Sequence, residues 1–232
     1  PVAGHCGGTG AGIETGLAAG AAAGISPMIT LGVTGSIGMG KTTAANMLRE
    51  MGVPVHDSDA SVHRLLGPDG AAVAIVGAKF PEALKRDAAG RDHIDRQVLG
   101  RIVFGDRRKK RELEEILHPL VRAESDAFKE EMRQKAHKII ALDIPLLFET
   151  GGEKRVDVTV CVSAPHDVQR ERVLARPGMT SEKFDRIVAG QLPDAEKRKR
   201  ATFVVETDKG FEDMRKQLQK IIDHISAERR RR

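Results

Sequence analysis

Tryptophan and tyrosine are absent from this chain of 232 residues, and phenylalanine, at seven positions, is its only large aromatic. Proteins that grip single-stranded nucleic acid stack bases on aromatic rings. Here the few Phe side chains stand mainly in apolar contexts, so a stacking platform is poor and no nucleic-acid partner is expected. Cysteine occurs twice, at Cys6 and Cys161, too far apart in the chain to suggest a zinc site or a disulfide framework. Cys161 lies in the apolar run "VDVTVCVSA", where a thiol packs as a small hydrophobe. Such cysteine usage suits a reducing, cytoplasmic setting. No apolar run reaches the roughly eighteen residues of a membrane-spanning helix, so no membrane partner is expected.

What is present narrows the class further. A formal net charge of +5 suits an anionic small molecule or nucleic acid and decides little alone. The length suits one large domain, or a core domain with a smaller inserted lobe, as a monomer or weak homo-oligomer. Residues 1–27 are mostly Gly and Ala and are expected to be a disordered extension, because such a composition buries too little apolar surface to offset its ordering entropy. The basic tail at 228–232 is expected to be a solvated, frayed end.

Strand-like and helix-like patterns alternate along the rest. "MITLGVT" is a short β-branched run, and "KTTAANMLRE" reads as a helix with Ala44, Met47, Leu48 and Met51 on one side, ended by Gly52. "VPVHDSD" reads as a second strand finishing in two carboxylates. Residues 60–136 carry helical periodicity with few strand signals, and breaks fall near "GPDG" and "FGDRR". "KIIALDIPLLFE", "RVDVTVCVSA" and "ATFVVET" supply further strands, and "GFEDMRKQLQKIIDHI" an amphipathic helix with Phe211, Met214, Leu218, Ile221 and Ile222 on its apolar side. This order predicts an α/β fold with a parallel sheet covered on both faces, whose ligand crevice lies beyond the carboxyl ends of the strands. Gly35 to Thr43, Asp57, Asp59, Asp143 and Glu149 all fall at or just past a strand's end.

"GSIGMGKT", 35–42, satisfies the P-loop pattern G-x-x-x-x-G-K-[ST] between a predicted strand and a predicted helix. Its glycines let successive N–H groups wrap a phosphate chain, and the new helix adds its positive end. Gly35, Gly38, Met39, Gly40, Lys41, Thr42 and Thr43 are the candidate nucleotide-binding residues. Lys41 would reach the β- and γ-phosphates of ATP, and the Thr42 hydroxyl would ligate Mg²⁺. Asp143, ending "IIALD", is the candidate Walker B acid that holds Mg²⁺, usually through water.

The cradle leaves switches, motors and small-molecule kinases open. A GTPase switch needs an N-K-x-D guanine reader, but the one asparagine, Asn46, stands between Ala45 and Met47. No glycine stands three residues after Asp143 either, as the GTPase D-x-x-G requires, and the chain is short for a motor. A kinase of small molecules needs a carboxylate facing the γ-phosphate, to take or orient the proton of the attacking hydroxyl. "HDSD" offers Asp57 and Asp59, which alternation along a strand would put on one face. The plainer alternative is that these acids cap the helix that follows.

At this point the residues resemble a family. "GVTGSIGMGKTTAANMLREMGVPVHDSDASVHRLL", "ILHPLVRAE", "DIPLLFETG", "QRERVLARPGMTSEKFDRIVAGQLP" and "KRKRATFVVET" follow one another as in the dephospho-CoA kinases, over residues 28–225. The resemblance implies a three-layer P-loop kinase fold on a five-stranded parallel sheet, spanning 28–227, with a helical CoA-binding insertion at about 60–136 and a lid at about 175–192. It implies transfer of the ATP γ-phosphoryl group to the ribose 3′-hydroxyl of dephospho-CoA, with Mg²⁺. Asp59 then maps to the base, with Asp57 supporting it, and Thr34 belongs to the active-site region. His118, Arg122, Arg172, Arg176 and Arg186 map to basic positions that engage CoA and nucleotide phosphates, Arg176 being the first choice for the transferring phosphoryl group. The chain departs from the family's usual pattern at Thr202 and Thr207 of "ATFVVET", which leaves open how the adenine is held there. Two other readings compete. Shikimate kinase also pairs a P-loop with D-S-D, but its triple glycine near the Walker B strand has only Gly151 and Gly152 to answer it. A nucleotide-dependent nucleic-acid-binding protein would use the basic middle and tail, without aromatic platforms.

Overall fold

A computed structural model describes residues 28–231. Residues 1–27, Cys6 among them, for which a disordered extension is expected, lie outside the described residues. In chain order the elements are β1 (Ile29–Thr34), α1 (Lys41–Glu50), β2 (Val55–Asp57), α2 (Ser58–Leu66), α3 (Val73–Lys79), β3 (Leu84–Arg86), β4 (Asp92–Ile94), α4 (Arg96–Val103) and α5 (Arg107–Gln134). They continue as β5 (Ile139–Asp143), β6 (Val158–Ser163), α6 (His166–Leu174), α7 (Ser181–Ala189), α8 (Asp194–Arg200), β7 (Phe203–Glu206) and α9 (Phe211–Arg231).

The expected parallel sheet is present, with five strands in the order β2-β5-β1-β6-β7, every neighbouring pair parallel. Its central strands are buried and mostly apolar because helices cover both faces. Ile140, Ala141 and Leu142 of β5 and Val160, Cys161 and Val162 of β6 are all buried. Cys161 is the small core residue expected of it, and burial pushes its thiol up to about 12. One face of the sheet packs on α1 and α9 through Met47, Leu48, Met214, Leu218 and Ile225. Phe211 departs from the expectation that it shares that apolar side, since 72 % of it is exposed. As the first residue of α9 it lies just beyond the sheet's edge, over the crevice.

The crossover from β2 to β5 carries a second apolar cluster, built from Leu65, Leu66, Val73, Val76, Phe80, Ile94, Leu99 and Leu117. Breaks in the helices follow the "GPDG" and "FGDRR" segments. Strand structure appears where little was expected: β3 and β4 form a two-stranded antiparallel hairpin. The three-residue strands are too short for alternation to stand out from the surrounding helical pattern. α9 runs to Arg231, so residues 228–231 of the basic tail continue that helix.

Candidate active site

The carboxyl ends of β1, β2, β5 and β7 open onto one cleft of about 650 Å³, where the α/β rule puts a ligand. Gly35, Gly38, Gly40, Lys41, Thr42 and Thr43 line one wall, joined by Asp59, Pro145, Arg172 and Arg176. Sequence spacing thus brought together the cradle, one of the two candidate acids and two of the candidate arginines.

Local geometry explains the cradle's glycines. Gly38 and Gly40 adopt φ of 78° and 91°, the left-handed region that an L side chain enters only at a cost. At Gly35 the constraint is space: a Cβ would sit 2.5 Å from Val162 Cγ2 and 2.8 Å from the Val162 carbonyl oxygen. The loop therefore lies directly on β6. Gly40 also serves as the N-cap of α1 without a side-chain cap, leaving the helix's first amides for an anion. Met39 does not face the cleft. Its side chain is buried beneath the loop, and its sulfur accepts the Ala164 N–H at 3.1 Å.

Lys41 donates to Asp143 Oδ1 at 2.6 Å, joining the P-loop to the Walker B strand. Burial raises the Asp143 carboxyl above the ordinary aspartate range; Lys41 opposes that shift, while Asp57 and Asp59 add to it. The three acids therefore share one negative end of the sheet, with Asp57 and Asp143 in register across β2 and β5. Thr34 lies at the same junction, wholly buried, its hydroxyl donating to the Pro145 carbonyl at 3.1 Å.

The reading of Asp57 and Asp59 as neighbours on one strand face needs correction. β2 ends at Asp57, whose Oδ1 accepts the Ala60 N–H at 3.0 Å and caps α2. The N-cap preference of Asp, together with the apolar positions Leu65 and Leu66 downstream, turned the segment helical one residue earlier than alternation would allow. Asp59 sits in the first turn of α2, exposed, and lines the cleft.

Arg172 donates to Thr207 twice, to Oγ1 at 2.8 Å and to the carbonyl at 2.6 Å. Thr207 Oγ1 in turn donates to the Met39 carbonyl at 2.9 Å. Thr207, Asp208, Gly210, Phe211 and Met214 form the end of the cleft next to these groups. Thr202 is remote from it, its hydroxyl accepting the Thr159 N–H at 3.2 Å at the other end of β7. Arg176 is exposed on the cleft wall just after α6.

His118, Arg122 and Arg186 are not brought to the cleft wall. His118, half-buried, and Arg122, exposed, lie on α5, while the Arg186 guanidinium stacks 5.3 Å from the centroid of Phe104, between α4 and α5. Sequence reasoning missed Gln191 and Gln169. Gln191 Oε1 accepts the Ile37 N–H at 3.1 Å, and Gln169 Nε2 donates to the Ile37 carbonyl at 2.8 Å, so both sides of the loop's apex are held. Both stand in the segment "QRERVLARPGMTSEKFDRIVAGQLP" that carries the family resemblance, but a lone glutamine has no motif of its own to single it out.

Among the described residues no three His, Cys, Asp or Glu side chains converge as a closed metal site. The Thr42 hydroxyl and the Asp143 carboxylate are hard oxygen donors of the kind Mg²⁺ takes, and their number fits a metal that keeps most of its ligands as water and substrate phosphate. Among the described residues no helix is long and apolar enough to cross a membrane.

Comparison with known proteins agrees with this geometry. The family model for dephospho-CoA kinase matches residues 29–213. A dephospho-CoA kinase of Mesorhizobium japonicum is 52 % identical over 202 residues, covering 87 % of this chain and 99 % of that protein. One of Agrobacterium fabrum is 50 % identical over 200 residues, covering 86 % and 100 %. Among solved structures, a Thermus thermophilus protein superposes with a TM-score of 0.71 at 36 % identity, over 84 % of this chain and 96 % of its own. The dephospho-CoA kinase of Campylobacter jejuni gives 0.64 at 25 % identity, over 85 % and 97 %. The cradle, the Lys41–Asp143 pair and the acid across the cleft thus belong to a chain that is a member of the dephospho-CoA kinase family.

Proposed function

We propose that the chain transfers the γ-phosphoryl group of ATP to the ribose 3′-hydroxyl of dephospho-CoA, with Asp59 as the base. The observation that carries this reading is the exposed Asp59 carboxylate at the first turn of α2, in the same cleft as Lys41, Thr42 and Arg176. The hydroxyl oxygen attacks the γ-phosphorus, the bond from that phosphorus to the β–γ bridging oxygen breaks, and ADP leaves with the electron pair. The hydroxyl proton passes to Asp59. Lys41 and Arg176 face the charge that spreads over the transferring oxygens, which is where preorganised cations lower a barrier most. Asp57 holds the first turn of α2 and so the direction of Asp59.

Thr42, with Asp143 through water, would hold Mg²⁺, which when bound neutralises phosphate charge. Arg172 is engaged at Thr207 and so shapes the nucleotide end of the cleft rather than the acceptor end. On this reading Thr207, Asp208, Gly210 and Phe211, which line that end of the cleft, would meet the adenine. His118, Arg122 and Arg186 remain for the acceptor, on α5 and on the 175–192 segment that we read as a lid. The reading carries a cytoplasmic setting with it.

Purified protein given ATP and Mg²⁺ should convert dephospho-CoA to CoA, detected by chromatography, and leave shikimate untouched. Folded protein that makes no CoA would overturn the assignment.

A further inference from the structure

Glu149 was marked by the sequence as an acid beyond a strand end, yet it has no part in the transfer described above. It lies on the segment that leaves β5 after Asp143, and its Oε1 receives two groups from a distant part of the chain. One is the ammonium of Lys197 on α8, at 2.8 Å. Lys197 is wholly buried, and its Nζ has no well-aligned hydrogen-bond acceptor, so Glu149 meets it as a charge partner. The other is the backbone N–H of Leu192, at 2.9 Å. Burial alone would raise the Glu149 carboxyl, but Lys197 and the Leu192 N–H outweigh it and hold it below the usual range.

A buried lysine is costly unless a carboxylate meets it, so Lys197 fixes where Glu149 points. Glu149 then fixes Leu192, and Leu192 follows Gln191, whose side chain is bonded to the P-loop at Ile37. A continuous chain of contacts therefore runs from α8 through Glu149 to the end of the 175–192 segment and on to the phosphate cradle. We propose that Glu149 is a positioning residue, which docks the carboxyl end of that segment so that Gln191 holds the P-loop in its ATP-binding shape. The proposal rests on the ATP-dependent reading of the cleft but not on the identity of the acceptor.

Two double variants separate positioning from core packing. Glu149→Gln with Lys197→Met removes both charges and keeps an acceptor for the Leu192 N–H, whereas Glu149→Leu with Lys197→Met removes the charges and the acceptor. ATP binding by calorimetry without any acceptor, and the thermal midpoint, are measured for both. The Leu/Met protein should bind ATP about three- to tenfold more weakly than the Gln/Met protein, the effect of one buried hydrogen bond. Gln191→Leu, which leaves the Glu149–Lys197 pair intact, should weaken ATP binding similarly with an unchanged thermal midpoint. Equal ATP affinity in the two double variants overturns the proposal. Should the Leu/Met protein not fold, Gln191→Leu decides alone, and ATP affinity equal to that of the unaltered chain overturns it. Because no acceptor is present, failure of CoA formation by the unaltered protein would leave this test standing.

Discussion

The two ends of the cleft are built in different ways. The nucleotide end is made of backbone and short, fixed contacts: Gly35 pressed on Val162, Ile37 held by Gln169 and Gln191, Lys41 on Asp143, and Thr207 on Met39. The basic side chains proposed to meet the acceptor come from separate elements, with Arg122 and Arg186 exposed on α5 and α7 and neither of them lining the cleft. A phosphate chain can be met by a preformed cradle, because oriented amides cost nothing to reorganise when it arrives. On the proposed function the acceptor is met by long side chains that move to reach it, which suits a site that must exclude water only when the second substrate is present.

The largest effect should come from the residue between the two ends. Asp59→Asn should lower kcat by about 10³-fold while ATP affinity changes little, because only proton removal is lost. Stopped or steady-state CoA formation beside ATP calorimetry checks this, and near-normal turnover would remove Asp59 from the role of base. The preformed end is tested by Gly35→Ala, whose Cβ would push against the Val162 carbonyl. Overpacking of this kind costs about 1–3 kcal/mol, and the variant should unfold earlier and bind ATP roughly tenfold more weakly. Chemical denaturation and calorimetry report the two effects. The smallest change is expected at the open end, where Arg186→Ala removes the stack on Phe104. Its KM for dephospho-CoA should rise about two- to fivefold, with ATP affinity unaltered, as for one exposed cation contact. Equal weakening toward both substrates would show that the two ends are not independent.

Most of the nucleotide end was legible in the sequence because a P-loop is local. One strand, six loop residues and one helix start lie consecutively, and positive-φ glycines announce themselves. The sheet was legible for a similar reason, since strands buried on both faces read as unbroken apolar runs. Asp59 was found but misplaced: a helix cap and a strand end use the same residue type, and only the Ala60 N–H on Asp57 distinguishes them. Phe211 was misread because helical periodicity says which face is apolar but not where the covering sheet stops. The arginines were recognisable as positions, yet Arg172 turned out to serve Thr207, a partner 35 residues away.

By itself the sequence determined the alternation of the five sheet strands with helices, the cradle from Gly35 to Thr43, the Walker B position of Asp143 and the family to which the chain belongs. The tertiary structure alone decided which of the scattered polar groups meet. Lys197 in the charged run "DAEKRKR" looks like a solvated residue, and only the fold buries it against Glu149. Gln191 acquires a role only because the chain returns to Ile37 after 154 residues. The physical reason is range: propensity and turn chemistry act within a few residues, whereas a buried charge or a single hydrogen bond takes its partner from whatever the packed chain brings to it.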